Sequence, residues 1–173
     1  VGTLIYGAGK RVLSSFQEFE ISAEPYMKDK NNEILYFGDL DYEGIGIFEN
    51  LASFFSEQSD IRPFVPAYLA MLEKAKASHK IPKSKEQQNQ NISGVFFSFF
   101  KDETVNQMER ILREGLYIPQ EILNISDLWG GLMQYEFLKS FPKRMKKAGH
   151  YAILFMNSSQ KAIWKQYDCS GPA

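Results

Sequence analysis

Apolar residues in this chain fall into two patterns. Some form short continuous runs, as in TLIY (3–6), ILYF (34–37) and YAILFM (151–156). Runs this short, rich in β-branched and aromatic residues, predict buried strands. Others recur at intervals of three and four, which places them on one face of a helix. Val12, Leu13, Phe16 and Phe19 predict a first helix, and Ile47, Leu51, Phe54 and Phe55 a second. Tyr68, Leu69 and Leu72 stripe a third helix, and Val105, Met108, Ile111 and Leu112 a fourth that Gly115 ends.

The polar stretches between these patterns complete the map. KDKNNE (28–33) is a turn leading into ILYFGDLD (34–41), read as the central strand. IRPFVPA (61–67) carries two prolines, which suits an edge strand or the lip of a sheet. SHKIPKSKEQQNQNIS (78–93) is the most polar and least periodic segment and reads as a mobile loop. GVFFSFF (94–100) is a strand or a buried turn, and a late helix is expected over SDLWGGLMQYEFLKSF (126–141). Strands alternate with helices through the first half, which predicts an α/β fold with a mainly parallel sheet flanked by helices. Residues 1–125 are expected to form the core, with 126–173 a helix-and-strand extension packed on it.

Composition narrows the function. The 173 residues carry 20 Lys and Arg against 21 Asp and Glu, so no global charge draws the chain to nucleic acid. Only local patches remain for that purpose. KRMKK (143–147), followed by His150, is the densest basic run, and a solvated face or helix end explains it more readily than a DNA contact. The single Cys169 excludes an internal disulfide or a cysteine-cluster metal site. His79 and His150 lack metal-ligand spacing, and Trp129 and Trp164 read as core anchors. No run is long and apolar enough to span a membrane, so the cytoplasm is the default location. The abrupt start in a strand suggests a domain preceded by another part.

Candidate chemistry lies at the end of the second apolar run, where Asp39 and Asp41 follow ILYF two positions apart. If the strand continues through both, their side chains share a face. Strand carboxyl ends are where open α/β sheets bind ligands. Two neighbouring carboxylates repel unless something neutralises them, and Mg2+ or Mn2+ would do so. Gly38 and Gly44 would let the backbone crowd such a site. The competing reading is a turn in which Asp41 caps the helix beginning near Tyr42. Lys10 and Arg11, after Gly7 and Gly9, are candidate phosphate contacts, although YGAGKR lacks the spacing of a P-loop.

The segment LYFGDLDYEGIGIF (35–48) resembles the acidic motif of Toprim domains. The nearer resemblance is to the C-terminal Toprim domain of the Wadjet plasmid-defence nuclease subunit JetD, formerly a domain of unknown function, with a likeness to the topoisomerase VI A subunit. Such proteins carry an aspartate pair followed by a glycine-containing helix, here Asp39, Asp41 and Gly44. LYIPQEIL (116–123) is similar to the later segment that presents a glutamate, here Glu121. The resemblance covers residues 3 to about 125. It implies Mg2+- or Mn2+-dependent cleavage of double-stranded DNA, with Asp39, Asp41 and Glu121 as the catalytic carboxylates. The partners it implies are double-stranded DNA and other subunits of a defence complex, and a homodimer is compatible with it.

One departure bears on that reading. Toprim domains carry a glutamate just after the first strand, where this chain has Gly7, Ala8 and Gly9. Glu18 is the next acidic residue, so Glu43 or Glu121 would have to substitute. The alternative is a degenerate, non-catalytic Toprim module serving protein or DNA interaction. A third reading is a phosphatase-like α/β enzyme using the first aspartate as nucleophile, but the supporting lysine and threonine signatures are missing.

Overall fold

The three continuous apolar runs become neighbouring strands of one sheet. The computed structural model describes residues 2–7, 11–23, 25–28, 33–57, 60–78, 80–85, 87–123, 151–156 and 164–167. Its strands are β1 (Gly2–Gly7), β2 (Glu33–Phe37), β3 (Asp60–Pro63), β4 (Tyr151–Met156) and β5 (Trp164–Tyr167), in the order β3-β2-β4-β1-β5. All neighbouring pairs are parallel except β1 with β5, which closes one edge antiparallel. The expected α/β fold with a mainly parallel sheet is what the chain forms.

The order within the sheet corrects one expectation. β2 is second from the edge, and the middle position belongs to β4. A strand with parallel neighbours on both sides favours an uninterrupted apolar run, and YAILFM is one. The sheet therefore joins segments from both sides of residue 125, while the helix expected over 126–141 lies outside the described residues. β3 takes the edge, as Pro63 suits, whereas Pro66, expected in the same extended segment, lies in the first turn of the following helix. Ile61 and Pro63 turn inward, while Asp60 and Arg62 face out and pair with each other at 2.9 Å. Charged pairs of this kind keep an exposed edge from pairing with another chain.

The helices are α1 (Arg11–Gln17), α2 (Phe19–Ser22), α3 (Tyr42–Phe54), α4 (Val65–Ala77) and α5 (Asp102–Arg113). The first predicted helix is thus broken at Glu18, yet Val12, Phe16 and Phe19 all reach the core. In α3 the inward positions are Gly44, Ile45, Ile47, Phe48 and Leu51. Phe54, expected inside, is 69% exposed. The helix ends there, and the next residue, Phe55, turns back onto Phe16 with ring centroids 4.6 Å apart. In α4, Leu69 is also exposed, because Ala67, Tyr68, Met71, Leu72 and Ala75 define the buried face. GVFFSFF is a turn rather than a strand, a 3-10 turn over Val95–Phe99, but of its residues only Phe96 is buried while Val95 and Phe99 are exposed.

One aromatic cluster ties strand, helices and turn together. Phe48 on α3 and Tyr68 on α4 both meet Phe96 of the 3-10 turn, with ring centroids 5.6 and 5.0 Å apart. Tyr36 and Phe37 of β2 reach the same cluster through Phe48 and Tyr68, respectively. Such edge-on pairs add roughly 0.5–1.5 kcal/mol each beyond burial. The end of β2 is therefore held between the starts of α3 and α4.

Candidate cation site at the end of strand β2

The strand reading stops short of the aspartates. β2 ends at Phe37, and the chain then runs through Gly38 and Asp39 to Leu40, which leaves the sheet for a new partner. Leu40 N–H donates to the Ile118 carbonyl at 2.9 Å, and Ile118 N–H returns the bond at 3.3 Å. That short antiparallel bridge brings LYIPQEIL across the end of β2. As a result the Gln120 N–H donates to Asp39 Oδ1 at 2.8 Å, and the exposed Glu121 lies close enough for its charge to act on Asp39.

Asp41 does something different. Its backbone is extended, and its Oδ1 accepts from the Gly44 N–H at 2.6 Å, so it is the N-cap of α3. Its Oδ2 accepts from the Gln88 side-chain amide, also at 2.6 Å. The capping role weighed from sequence is therefore real, and the charge of Asp41 also acts on Asp39. Gly44 is required by the same geometry: a Cβ there would fall on the carbonyl oxygen of Asp39.

Two buried tyrosines form the floor. The Tyr36 hydroxyl donates to the Gly44 carbonyl at 2.8 Å, and the Gly38 N–H donates to the Tyr68 hydroxyl at 3.1 Å. Burial, reinforced by the nearby carboxylates, pushes both phenols well above their ordinary range, so they stay protonated. Asp39 is pushed up to about 6, chiefly by burial. The Gln120 N–H opposes that shift, the charges of Glu121 and Asp41 add to it, and Lys85 offsets part of it. A carboxylate beside two others, partly out of water, is a group that a cation would relieve.

The covering element was not foreseen. The polar segment 78–93, expected to be mobile, is fastened at Pro82, Ser84, Gln88 and Ser93 among its described residues. Tyr117 N–H donates to the Pro82 carbonyl at 3.1 Å, and Ser84 N–H to the Gly115 carbonyl at 2.9 Å. At the far end the Glu49 carboxylate accepts from the Ser93 and Phe96 N–H groups at 2.5 and 3.3 Å. Between these anchors, Gln87 adopts a left-handed backbone (φ 67°) and Gln88 meets Asp41. Lys85 and Gln88 carry no sequence signal for this role, because only the folded path of the loop brings them here.

The remaining predicted residues are distributed as follows. Glu43 lies in the first turn of α3, half-buried, and its charge acts on Tyr36. Of Arg11 only the backbone, at the start of α1, is described, and Lys10 lies outside the described residues, as do Ala8 and Gly9. The basic run 143–147, His79, His150, Cys169 and Trp129 also lie outside them. Among the described residues, no three His, Cys, Asp or Glu side chains gather closely enough to hold a metal by themselves. The groups near Asp39 and Asp41 that could take a cation are the carboxylate oxygens themselves, and N–H donors at present approach both oxygens of Asp41 and Oδ1 of Asp39. A set of carboxylate oxygens fits a hard divalent cation such as Mg2+ or Mn2+.

No helix among the described residues is long and apolar enough to cross a membrane. No curated protein and no solved structure gives a significant match to the chain. The residues that converge here, from the GDLD segment through IPQE, fall within a family match that does exist. Over residues 1–129 the chain matches the family described as Wadjet protein JetD, C-terminal, and it belongs to that family.

Proposed function

We propose that this chain is the Toprim-type, metal-dependent DNA-cleaving domain of an anti-plasmid Wadjet complex, akin to the topoisomerase VI A subunit in the use of its acidic residues. One observation carries the reading: the Leu40–Ile118 bridge assembles Asp39, Asp41 and the Glu121 segment at the end of a parallel-sheet strand. When bound, Mg2+ or Mn2+ would polarise the scissile phosphate and stabilise charge on its oxygens. Asp39 and Asp41 would hold the cation, with Glu43 or Glu121 as the further carboxylate. Asp41 is fixed for that work by the Gly44 N–H and the Gln88 amide, and Asp39 by the Gln120 N–H. Glu121, exposed beside Asp39, is placed to orient water or to take up a proton. The Tyr36 and Tyr68 hydroxyls are committed to the backbone, so neither is a nucleophile. The DNA and the other subunits would approach over the loop and the exposed Glu121, and Lys10 and Arg11 remain the candidate phosphate contacts.

A second reading, a Toprim module that no longer cuts, is favoured by one specific feature. Both oxygens of Asp41 already have protein donors, and the end of β1 holds Gly7, followed by Ala8 and Gly9, where a glutamate is expected. Calorimetric titration with Mn2+ and Mg2+ separates the two, comparing the parent with Asp39→Asn plus Asp41→Asn. Asparagine is chosen because its side-chain oxygen still caps α3, so lost binding would not reflect a lost helix start. Saturable binding abolished in the folded variant supports the cation site and directs cleavage assays on plasmid DNA with the complete assembly. Equal binding in both proteins, or none in the folded parent with DNA and partner subunits present, sinks the assignment.

A further inference from the structure

The loop beside the acidic pair carries its charge unevenly. KIPKSKEQQ (80–88) holds Lys80, Lys83 and Lys85 against the single Glu86, in a chain whose net charge is -1. All three lysines are exposed. Among the described residues, Arg62 pairs with Asp60 and Lys76 with Glu73, while none of these three lysines forms an ion pair. The backbone beneath them is fixed. Lys83 pairs antiparallel with Leu116, and on either side Tyr117 N–H donates to the Pro82 carbonyl and Ser84 N–H to the Gly115 carbonyl. Two residues after Leu116, Ile118 bridges Leu40, which lies between the two acids. The loop then reaches Asp41 through Gln88 at 2.6 Å. Two backbone bridges and one side-chain bond thus set the lysines on the flank of the acidic pair, and Lys85 lies close enough for its charge to act on Asp39.

A phosphodiester arriving at this end of the sheet meets Asp39, Asp41, Glu43 and the exposed Glu121, all of which repel it. Positive charge held beside the acids offsets that repulsion, and the loop lysines stand there exposed. Lysine acts as a point charge on a flexible stem, which suits backbone phosphates rather than base edges. From Lys80 to Lys85 the chain spans at most about 18 Å. One strand of a duplex presents a phosphate about every 3.4 Å along its axis, so the three lysines can meet separate phosphates. We propose that Lys80, Lys83 and Lys85 form a surface that holds the backbone of double-stranded DNA, without regard to sequence, alongside Asp39 and Asp41. Lys85, the nearest of them in the loop to Gln88, meets the phosphate closest to the acids. This inference rests on the reading that the chain acts on DNA.

The test is fluorescence anisotropy of a short labelled DNA duplex with the 173-residue chain, run with a chelator over a salt series. Lys80→Gln, Lys83→Gln and Lys85→Gln are combined in one variant, checked for folding by thermal melting. Lys76→Gln, which removes an ammonium paired with Glu73 on α4, is the charge control. Each lost phosphate contact makes log affinity against log salt shallower by about 0.9, so the triple variant should flatten the slope by about 2–3. Lys85→Gln alone should give about a third of that change. Replacing all three by arginine should keep the parent slope, as should Lys76→Gln. A triple glutamine variant that binds like the control overturns the surface and leaves the acidic pair to the Mn2+ titration. A parent that does not bind the duplex at low salt also overturns it. Lysine-dependent binding by a chain that takes up no Mn2+ supports the surface, and only the cleavage reading then falls.

Discussion

Neutralising Asp39 is expected to stabilise the cation-free protein. In Asp39→Asn the side-chain oxygen can still accept from the Gln120 N–H, so the perturbation is chiefly the loss of charge. The carboxyl is pushed up from an ordinary 3.8 to about 6, mainly by burial and then by Glu121 and Asp41. A shift of that size corresponds to roughly 3 kcal/mol at about 1.4 kcal/mol per unit. Asp39 is only partly buried, and solvent screening reduces the expected effect to about 1–2 kcal/mol. Because the folded pKa is raised, the folded state holds the proton more tightly than the unfolded one. The parent therefore loses stability as pH rises from about 3.8 to about 6, and the deficit is constant above that. Below that window both forms are neutral and the variant should match the parent. Thermal melts with a chelator present should show Asp39→Asn higher by about 3–6 °C at pH 7.5 and a much smaller gap at pH 4, near the foot of that window. A gap that is the same at both pH values, or a variant less stable at pH 7.5, would refute the assigned burial and charge coupling. Saturating Mn2+ should raise the parent alone and close or reverse the gap.

Two other substitutions probe how the site is held. Gly44→Ala should destabilise by about 1–3 kcal/mol in urea unfolding, because its Cβ would meet the Asp39 carbonyl rather than a yielding side chain. Gly46→Ala, one turn position on with open space around it, is the control and should be neutral or slightly stabilising. Glu49→Ala removes the carboxylate that accepts from the Ser93 and Phe96 N–H groups, and charge-assisted bonds of this type contribute about 1.5–3 kcal/mol. Hydrogen exchange should speed up at those two amides while the β2 amides keep their protection; uniform loss across the fold would contradict a local anchor.

The alternation of short apolar runs with helical stripes was enough to fix the fold class, because strand and helix periods are local properties of the chain. So was the edge position of β3, since proline cannot donate to a second neighbour wherever it sits. That Asp39 and Asp41 follow directly on a buried run was legible too, although the strand ends before them and does not set them on one face. Strand order was not legible: that β4, more than a hundred residues after β2, lies beside it depends on long-range pairing that no local pattern encodes. The different duties of the two acids were equally hidden. Asp41 became a helix cap because α3 starts one residue later, and Asp39 was half-buried because Leu40 left the sheet to bridge Ile118. Gln88 was invisible in a run of polar residues, where any glutamine reads like its neighbours. Only the folded loop, pinned at Gly115 and Glu49, selects that one and sets its amide against Asp41. Sequence determined which groups the site could draw on, and tertiary contacts decided which of them meet, because proximity between distant residues is a property of the packed chain.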